Sequence, residues 1–190
     1  MNATLQKYEK GIIHGRFQIL HNDHLKYLMA GKARCEHLVV GITNPDPSHT
    51  RDEPSDPHRS DLSANPLTYY ERYQLVRAAL KEAGCELKDF SVVPLPINRP
   101  EYYKYYVPLD AVFFLSIYDD WGRQKKKYFE SLDLKVYVLR EVRPEEKGIS
   151  GSEVRRRMTD GLAWEHLVPG SVAALLNKWG IPQRIRSMQA

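Results

Sequence analysis

The feature that most constrains the fold is the alternation of short apolar runs, rich in β-branched residues, with helical patterns. Five such runs predict strands, at residues 11–14, 37–43, 90–95, 111–115 and 135–139. Strands that alternate with helices form βαβ units, and these units build a parallel sheet with helices on both faces. We therefore predict an α/β protein with a Rossmann-like, doubly wound parallel sheet of about five strands.

The segments between the strands predict helices and one long loop. Helices are expected at residues 23–34, 68–83 and about 122–132, and Thr68 with Glu71 forms a capping-box pattern at the start of the second. The polar stretch 44–67 is rich in Pro and Asp and predicts a loop. From Ser150 onward the chain predicts two short helices. We expect one domain over residues 1–190, with about 150–190 as its C-terminal helical extension.

The composition excludes several protein classes. Hydrophobic residues make up 42% of the chain, which is typical of a globular protein. Residues 1–10 lack the apolar core of a secretory signal, and no run approaches the roughly 20 apolar residues of a membrane span. We expect a cytoplasmic protein that does not enter the membrane, and two free thiols at Cys35 and Cys85.

The net charge favours small anionic ligands without excluding nucleic acid. A formal charge of +4 suits a phosphate-rich molecule. A nucleic-acid surface would need a basic stripe with interleaved aromatic residues, and only residues 125–128 offer a short hint of one. We read that hint as a solvated helix face and expect small-molecule partners and no nucleic acid. The sequence leaves a homo-oligomer open.

The first candidate site follows the first predicted strand, where ligands of open α/β sheets bind. Gly15 allows close approach of the backbone to a ligand, and Arg16 and Phe17 follow it. His21 and His24 lie about one turn apart at a helix N-terminus, where free amides and the helix dipole favour an anion. This pattern indicates a phosphate site. The alternatives are an incidental H-x-x-H or half of a zinc site, but no other His or Cys cluster completes a tetrahedral set.

A second phosphate signal begins near residue 148. Ser150 and Glu153 form another capping-box pattern, so a helix is expected to start here. Gly151 and Ser152 stand at its N-terminus, and Arg155 follows about one turn later, where it can reach the same anion. Such a site would hold the two phosphates that leave as pyrophosphate. A plain surface helix with solvated arginines is the alternative.

Together the two segments resemble the nucleotidyltransferase superfamily marked by H-x-G-H and I-S-x-T-x-I-R motifs. The likeness is closest to archaeal-type nicotinamide-nucleotide adenylyltransferases and is carried by residues 15–24, 48–50, 65–72, 94–98 and 149–169. It implies transfer of AMP from ATP to nicotinamide or nicotinic acid mononucleotide, with Mg²⁺ accompanying the triphosphate and no other metal site. It also implies direct in-line attack. The implied catalytic residues are His21, His24 and Arg155, and the implied phosphate ligands are Gly15, Arg16, Phe17, Ser150, Gly151 and Ser152.

Three departures from the family pattern concern the substrates. Asp23 replaces the glycine of the histidine motif, and we expect its carboxylate to cap the helix and point away from the phosphates. Residues 51–64 form an extra stretch, either a variable loop or a lid over the acceptor. After the fourth strand, where the archaeal enzymes have a short Gly-Asn turn, Trp121 is expected to stack on a pyridinium ring. The predicted acceptor-binding residues are Asn98, Tyr118, Asp119, Asp120 and Trp121.

Two other functions stay open. One keeps the chemistry but uses CTP with a small phosphate or phosphonate. The other is a non-catalytic nucleotide-binding regulator on the same fold. The intact His21, His24 and Arg155 argue against the regulator.

Overall fold

The fold is organised around one parallel sheet. The computed structural model describes residues 7–46, 62–143, 146 and 148–188. Its five strands lie in the order β3-β2-β1-β4-β5, all parallel, which confirms the predicted α/β class. The strand order reverses between β1 and β4, which makes their carboxyl ends the topological switch point where ligands bind in such sheets. The strands are β1 (Tyr8–Gly15), β2 (Cys35–Thr43), β3 (Phe90–Leu95), β4 (Val112–Ile117) and β5 (Lys135–Glu141).

The helices follow the predicted pattern except near the C-terminus. The extension holds three α-helices instead of two, because Gly180, with a positive φ of 63°, ends one helix and begins the next. The long predicted loop contains a short 3₁₀ turn at Leu62–Ala64, and residues 47–61 lie outside the described part of the chain. The α-helices are α1 (Asn22–Lys32), α2 (Tyr69–Glu82), α3 (Asp120–Ser131), α4 (Gly151–Thr159), α5 (Gly170–Lys178) and α6 (Ile181–Ser187).

Two hydrophobic cores cover the two faces of the sheet. Ile12 and Ile13 are both fully buried, and because side chains of a strand alternate, they enter different cores. The core of Ile13 includes Leu28 of α1 and the apolar faces of α2, α4, α5 and α6. The core of Ile12 includes Phe113 of β4 and Phe129 of α3. Helices therefore cover both faces, as a doubly wound sheet requires.

The neighbouring strands β1 and β4 are paired over only part of their length. β1 pairs with β2 along its length, from Tyr8 to Gly15, but its register with β4 covers only Gly11 and Ile12. The carboxyl ends of β1 and β4 therefore leave a crevice between them, and His14 lies at its edge. This opening sets the position of the candidate site.

A buried arginine fixes the turns that border this crevice. Arg72, in the first turn of α2, is 2% exposed. Its guanidinium donates hydrogen bonds to the carbonyl oxygens of Arg16 at 3.0 Å, Thr43 at 2.7 Å, Asn44 at 2.8 Å and Thr68 at 3.3 Å. Burial lowers the pKa of Arg72 to about 10, so it stays charged at neutral pH. One cation thus joins the turn after β1 to the turn after β2.

The segment that leads into α2 is held by hydrogen bonds from two other parts of the chain, α6 and the turn after β1. The predicted capping box is present, with Thr68 N–H donating to Glu71 at 2.9 Å and Glu71 N–H to Thr68 Oγ1 at 3.2 Å. Arg184 of α6 pairs with both carboxylate oxygens of Glu71, at 2.7 and 2.8 Å. The side-chain amide of Gln18 bonds both backbone groups of Leu67, at 2.8 and 3.0 Å. The C-terminal extension therefore supports the site through α2.

Replacing Arg72 by Met should lower the free energy of unfolding by at least about 3 kcal/mol, because several buried carbonyl oxygens lose their donor. Urea denaturation measures the change. Arg77→Met is the matched control, since Arg77 lies on the same helix and makes one hydrogen bond of 3.4 Å to Tyr73. It should cost less than about 1 kcal/mol. Equal losses for the two variants would contradict the role of Arg72.

Candidate active site

Two histidines shape the entrance to α1. His21 is the N-cap, and it forms a reciprocal capping box with His24: each backbone N–H donates to Nδ1 of the other ring at 3.4 Å. The rings stack with centroids 3.7 Å apart. Because Nδ1 accepts in both rings, each neutral imidazole carries its proton on Nε2. Each ring thus carries one N–H donor, and the His24 side chain also has a hydrogen bond with the backbone of Ile19.

Both histidines are neutral at physiological pH. Burial lowers the pKa of His21 to about 4. Burial, followed by the neighbouring His21 and Arg16, lowers the pKa of His24 well below its usual value. The rings therefore offer N–H donors without a formal charge, and the positive charge of the site comes from arginines.

The second predicted phosphate segment lies directly on the first. Ser150 is the N-cap of α4 and accepts from Glu153 N–H at 3.2 Å. A Cβ atom at Gly151 would stand 2.7 Å from the carbonyl oxygen of Gln18, so only glycine permits this approach. Arg155 donates to the same Gln18 carbonyl and, at 3.2 Å, to Ser152 Oγ. The two segments are therefore in direct contact.

The expected capping box at α4 is only half formed. The carboxylate of Glu153 does not return to Ser150, because it pairs with Arg156 at 3.0 Å and with Arg157 at 2.7 Å. These pairs lower the pKa of Glu153 to about 2. At this helix start the Ser150 hydroxyl accepts from the Glu153 N–H, and a bound ligand would be the acceptor for further backbone N–H groups.

Positive charge is concentrated where the two segments meet. Burial and then the charge of Arg16 lower the pKa of Arg155 to about 10. Arg16 also acts in the same direction on Arg72 and His24. Like charges gathered at a partly buried position create a field that favours an anion. Phe17, buried in this turn with a φ of 52°, packs edge-on against His24 at 5.1 Å.

Asp23 does not cap α1, contrary to our expectation, because the ring of His21 takes that position. Its carboxylate accepts from Ile149 N–H at 2.7 Å and from Lys26 Nζ at 2.8 Å. Burial would raise the pKa of Asp23, but these hydrogen bonds outweigh it and hold the pKa below its usual value. Asp23 therefore connects the start of α1 to Ile149, in the segment just before α4.

A cavity of about 380 Å³ lies beyond the carboxyl ends of β1, β2 and β3, with α3 along its other side. Two of the predicted acceptor residues, Asn98 and Trp121, line it, whereas Tyr118, Asp119 and Asp120 do not. Since α3 begins at Asp120, the two carboxylates serve the helix start: Asp119 is the N-cap and accepts from Gly122 N–H at 2.9 Å, and Asp120 pairs with Arg123 at 3.2 Å. The cavity is lined by His14, Gly15, Arg16, Thr43, Asn44, Ile97, Asn98, Trp121, Gln124, Lys125, Tyr128 and Phe129.

Sequence reasoning missed Lys125 as a residue of this cavity. Its ammonium nitrogen lies 3.8 Å from the centroid of the Trp121 ring, on a face that we expected a planar substrate to use. No Asp or Glu is among the described residues that line the cavity. The spacing of four residues between Trp121 and Lys125 was the available signal, because side chains one helical turn apart meet.

Other expectations concern metals, membranes and thiols. Within residues 7–46, 62–143, 146 and 148–188, no three His, Cys, Asp or Glu side chains are grouped to hold a metal ion. No helix in that same part of the chain has the length and apolar character needed to cross a membrane. Cys35 and Cys85 are buried thiols, as predicted.

Gly151→Ala should separate the two phosphate segments, since the added methyl meets backbone atoms of Gln18 and Ile19 at 2.7–3.0 Å. We expect a loss of about 1–3 kcal/mol in unfolding free energy and about 100-fold in kcat/KM for the triphosphate. Gly170→Ala is the control, since Gly170 also opens a helix but its Cβ would meet only the Glu82 carboxylate, at 3.4 Å. A Gly151→Ala enzyme with normal kcat/KM would contradict this close contact.

Similarity to known proteins agrees with this geometry. Residues 12–157 match the family described as cytidylyltransferase-like. The chain is 49% identical over 177 residues to phosphonoformate cytidylyltransferase of Streptomyces viridochromogenes, covering 93% of this chain and 95% of that protein. It is 30% identical over 181 residues to nicotinamide-nucleotide adenylyltransferase of Thermococcus onnurineus, covering 95% and 88%.

A solved structure supports the fold. The crystal structure of a bifunctional NMN adenylyltransferase/ADP ribose pyrophosphatase from Francisella tularensis superposes with a TM-score of 0.67 at 16% identity. The match covers 95% of this chain and 52% of that longer one. With the family match across both phosphate segments, these findings show that the chain is an enzyme and belongs to the cytidylyltransferase-like family of nucleotidyltransferases.

Proposed function

We propose that the protein transfers CMP from CTP to a small phosphonate and releases pyrophosphate. This was the alternative that the sequence left open, and we now favour it over ATP with a pyridine mononucleotide. The identity of 49% to a phosphonoformate cytidylyltransferase, against 30% to a nicotinamide-nucleotide adenylyltransferase, supports the choice. The structural observation that carries it is the ammonium of Lys125 over the Trp121 ring, in a cavity whose described lining residues include no Asp or Glu.

The charge of the cavity favours an anionic acceptor over a pyridinium ring. A cationic ring stacked on the face of Trp121 that Lys125 covers would lie close to its ammonium. At about 4 Å and an effective dielectric constant of about 20, two unit charges of the same sign repel by on the order of 4 kcal/mol, so a pyridinium ring at this position is disfavoured. A small phosphonate would instead find Lys125 and Arg16 in one cavity.

The proposed reaction is a single in-line displacement. An oxygen of the ionised phosphonate attacks the α-phosphorus of CTP and forms a new P–O–P link. The bond from the α-phosphorus to the oxygen that bridges it to the β-phosphorus breaks, and pyrophosphate leaves with that bonding pair. Because the nucleophile is already an anion, no general base is needed, which agrees with neutral His21 and His24 acting as hydrogen-bond donors.

The roles of the phosphate-binding residues follow from their positions. We assign His21 and His24 to the α-phosphate, where negative charge develops in the transition state. Ser150, Ser152 and Arg155 would hold the β- and γ-phosphates at the start of α4. Gly151 has its place because only glycine allows this helix to approach the first segment. The turn that carries the remaining assigned ligands consists of Gly15, Arg16 and Phe17.

Mg²⁺ would enter with the triphosphate. The carboxylate of Asp23, which belongs to the first segment, already accepts from Ile149 and Lys26, so it fits a structural role better than a metal site. Mg²⁺ commonly keeps several waters and binds through substrate phosphates, which suits a site of this composition. When bound, it would neutralise charge on the leaving pyrophosphate.

The test is pyrophosphate release from all four nucleoside triphosphates, each with phosphonoformate and with nicotinamide mononucleotide. We expect turnover with CTP and phosphonoformate, and His24→Ala should lower its kcat by at least about 100-fold because one charge-stabilising donor is lost. His166→Ala, which changes an exposed histidine, should leave kcat unchanged. Turnover with ATP and nicotinamide mononucleotide, combined with none for CTP and phosphonoformate, would overturn the proposal.

A further inference from the structure

Asp23 links the two phosphate segments through a hydrogen bond to the backbone. Oxygen Oδ2 of its carboxylate accepts from the backbone N–H of Ile149 at 2.7 Å. Ile149 directly precedes Ser150, the N-cap of α4, and Asp23 lies in the first turn of α1, between His21 and His24. The bond therefore joins the helix start that carries the two histidines to the helix start that carries Ser150.

The start of α4 is held on both sides of Ser150. On one side, Ile149 is bonded to Asp23. On the other side, Gly151 lies so close to Gln18 that an added Cβ would stand 2.7 Å from its carbonyl oxygen. A helix start fixed at one point can still tilt about that point, whereas contacts with two different elements fix its direction. Asp23 supplies the contact with α1.

Both oxygens of the Asp23 carboxylate are engaged. While Oδ2 accepts from Ile149, Oδ1 accepts from the ammonium of Lys26 at 2.8 Å, one turn later on the same helix. Burial would raise the pKa of Asp23, but the bonds from Lys26 and Ile149 hold it below its usual value, so the carboxylate is ionised at neutral pH. An uncompensated carboxylate next to a triphosphate would repel it, and the ammonium of Lys26 offsets that charge.

Gly148 leaves the space that this carboxylate occupies. A Cβ atom at Gly148 would stand 2.2 Å from Oδ2 of Asp23 and 3.2 Å from its Cγ. The next nearest atom, Oδ1 at 3.8 Å, also belongs to Asp23. An alanine at this position would therefore displace the carboxylate from Ile149 before it met any other part of the protein.

We infer that Asp23 is a positioning residue for the reaction: through Ile149 it fixes the start of α4 relative to the two histidines, so that one triphosphate can contact both. The inference rests on the proposed function, in which α4 holds the β- and γ-phosphates and the histidines hold the α-phosphate. Asp23 acts through the backbone and does not touch the substrate. A glycine, which the H-x-G-H motif has at this position, has no side chain to make this bond.

The test combines steady-state kinetics of the full-length enzyme, with CTP and phosphonoformate, and calorimetric titration with inorganic tripolyphosphate. Asp23→Ala should raise the KM for CTP and the Kd for tripolyphosphate by about 10-fold, as expected for a lost charged hydrogen bond. The KM for phosphonoformate should change by less than about twofold. Asp23→Asn keeps an oxygen that can accept from Ile149, so both constants should stay within about threefold of wild type. An unchanged KM for CTP in Asp23→Ala, or equal losses in the two variants, would overturn the inference.

Gly148→Ala tests the same bond without removing the carboxylate. In the wild-type background its methyl should displace Asp23 and raise the KM for CTP and the Kd for tripolyphosphate by about 10-fold. Added to Asp23→Ala, the same change should alter them by less than about twofold, because the atoms that the methyl would meet are gone. Losses that multiply in the double variant would contradict the inference.

Glu82→Ala is the matched control. Glu82 accepts from the backbone N–H groups of Gly170 and Ser171 at 3.1 and 2.7 Å, so it holds the start of α5 as Asp23 holds that of α4. It should lower the midpoint of thermal unfolding and leave the KM for CTP unchanged, and an equal rise in that KM would reduce Asp23 to a structural role. A wild-type enzyme inactive with CTP and phosphonoformate would overturn the proposed function alone, since the tripolyphosphate titration still decides the inference. A wild-type enzyme that also fails to bind tripolyphosphate would overturn both.

Discussion

The buried guanidinium of Arg72 is the interaction on which the site depends most. A desolvated cation is costly unless hydrogen-bond acceptors surround it, and Arg72 is surrounded by backbone carbonyl oxygens from the turns after β1 and β2. Those turns carry Arg16 and Asn44, which line the acceptor cavity. The α4 start then rests on the same β1 turn through Gly151 and Arg155. The proposed triphosphate site and the proposed acceptor site would thus share one fixed backbone segment.

In the candidate site, the histidines supply hydrogen-bond donors and the arginines supply the positive charge. His21 and His24 are neutral and cap each other, so their geometry is fixed before any ligand arrives. Arg16 and Arg155 supply positive charge next to them. This arrangement suits transfer of a nucleotidyl group, in which positioning and charge stabilisation do most of the work. Because adenylyl and cytidylyl transfer use the same phosphate chemistry, the proposed function places the choice of acceptor at the wall of the cavity.

Much of the fold, and the helix starts at the candidate site, could be predicted because their signals are local. Strand periodicity predicted the sheet, and short-range spacing predicted the Thr68 cap and the starts of α1 and α4. The role of Asp119 was predicted wrongly because it depends on where α3 begins. The role of Asp23 was predicted wrongly because the ring of His21, and not a carboxylate, is the N-cap of α1. The contacts of Arg72 with Asn44 and of Lys125 with His14 join residues that lie 28 and 111 positions apart in sequence. No local pattern encodes such contacts.

The central proposal is that the two phosphate segments hold the triphosphate while the cavity beyond the ends of β1, β2 and β3 binds the phosphonate acceptor. A crystal structure with a non-hydrolysable CTP analogue and phosphonoformate tests it most directly. The account predicts the β- and γ-phosphates at the start of α4, and phosphonoformate in the cavity with its phosphonate beside the α-phosphate near His24. A triphosphate bound away from α4, or a phosphonoformate bound outside this cavity, would contradict the account.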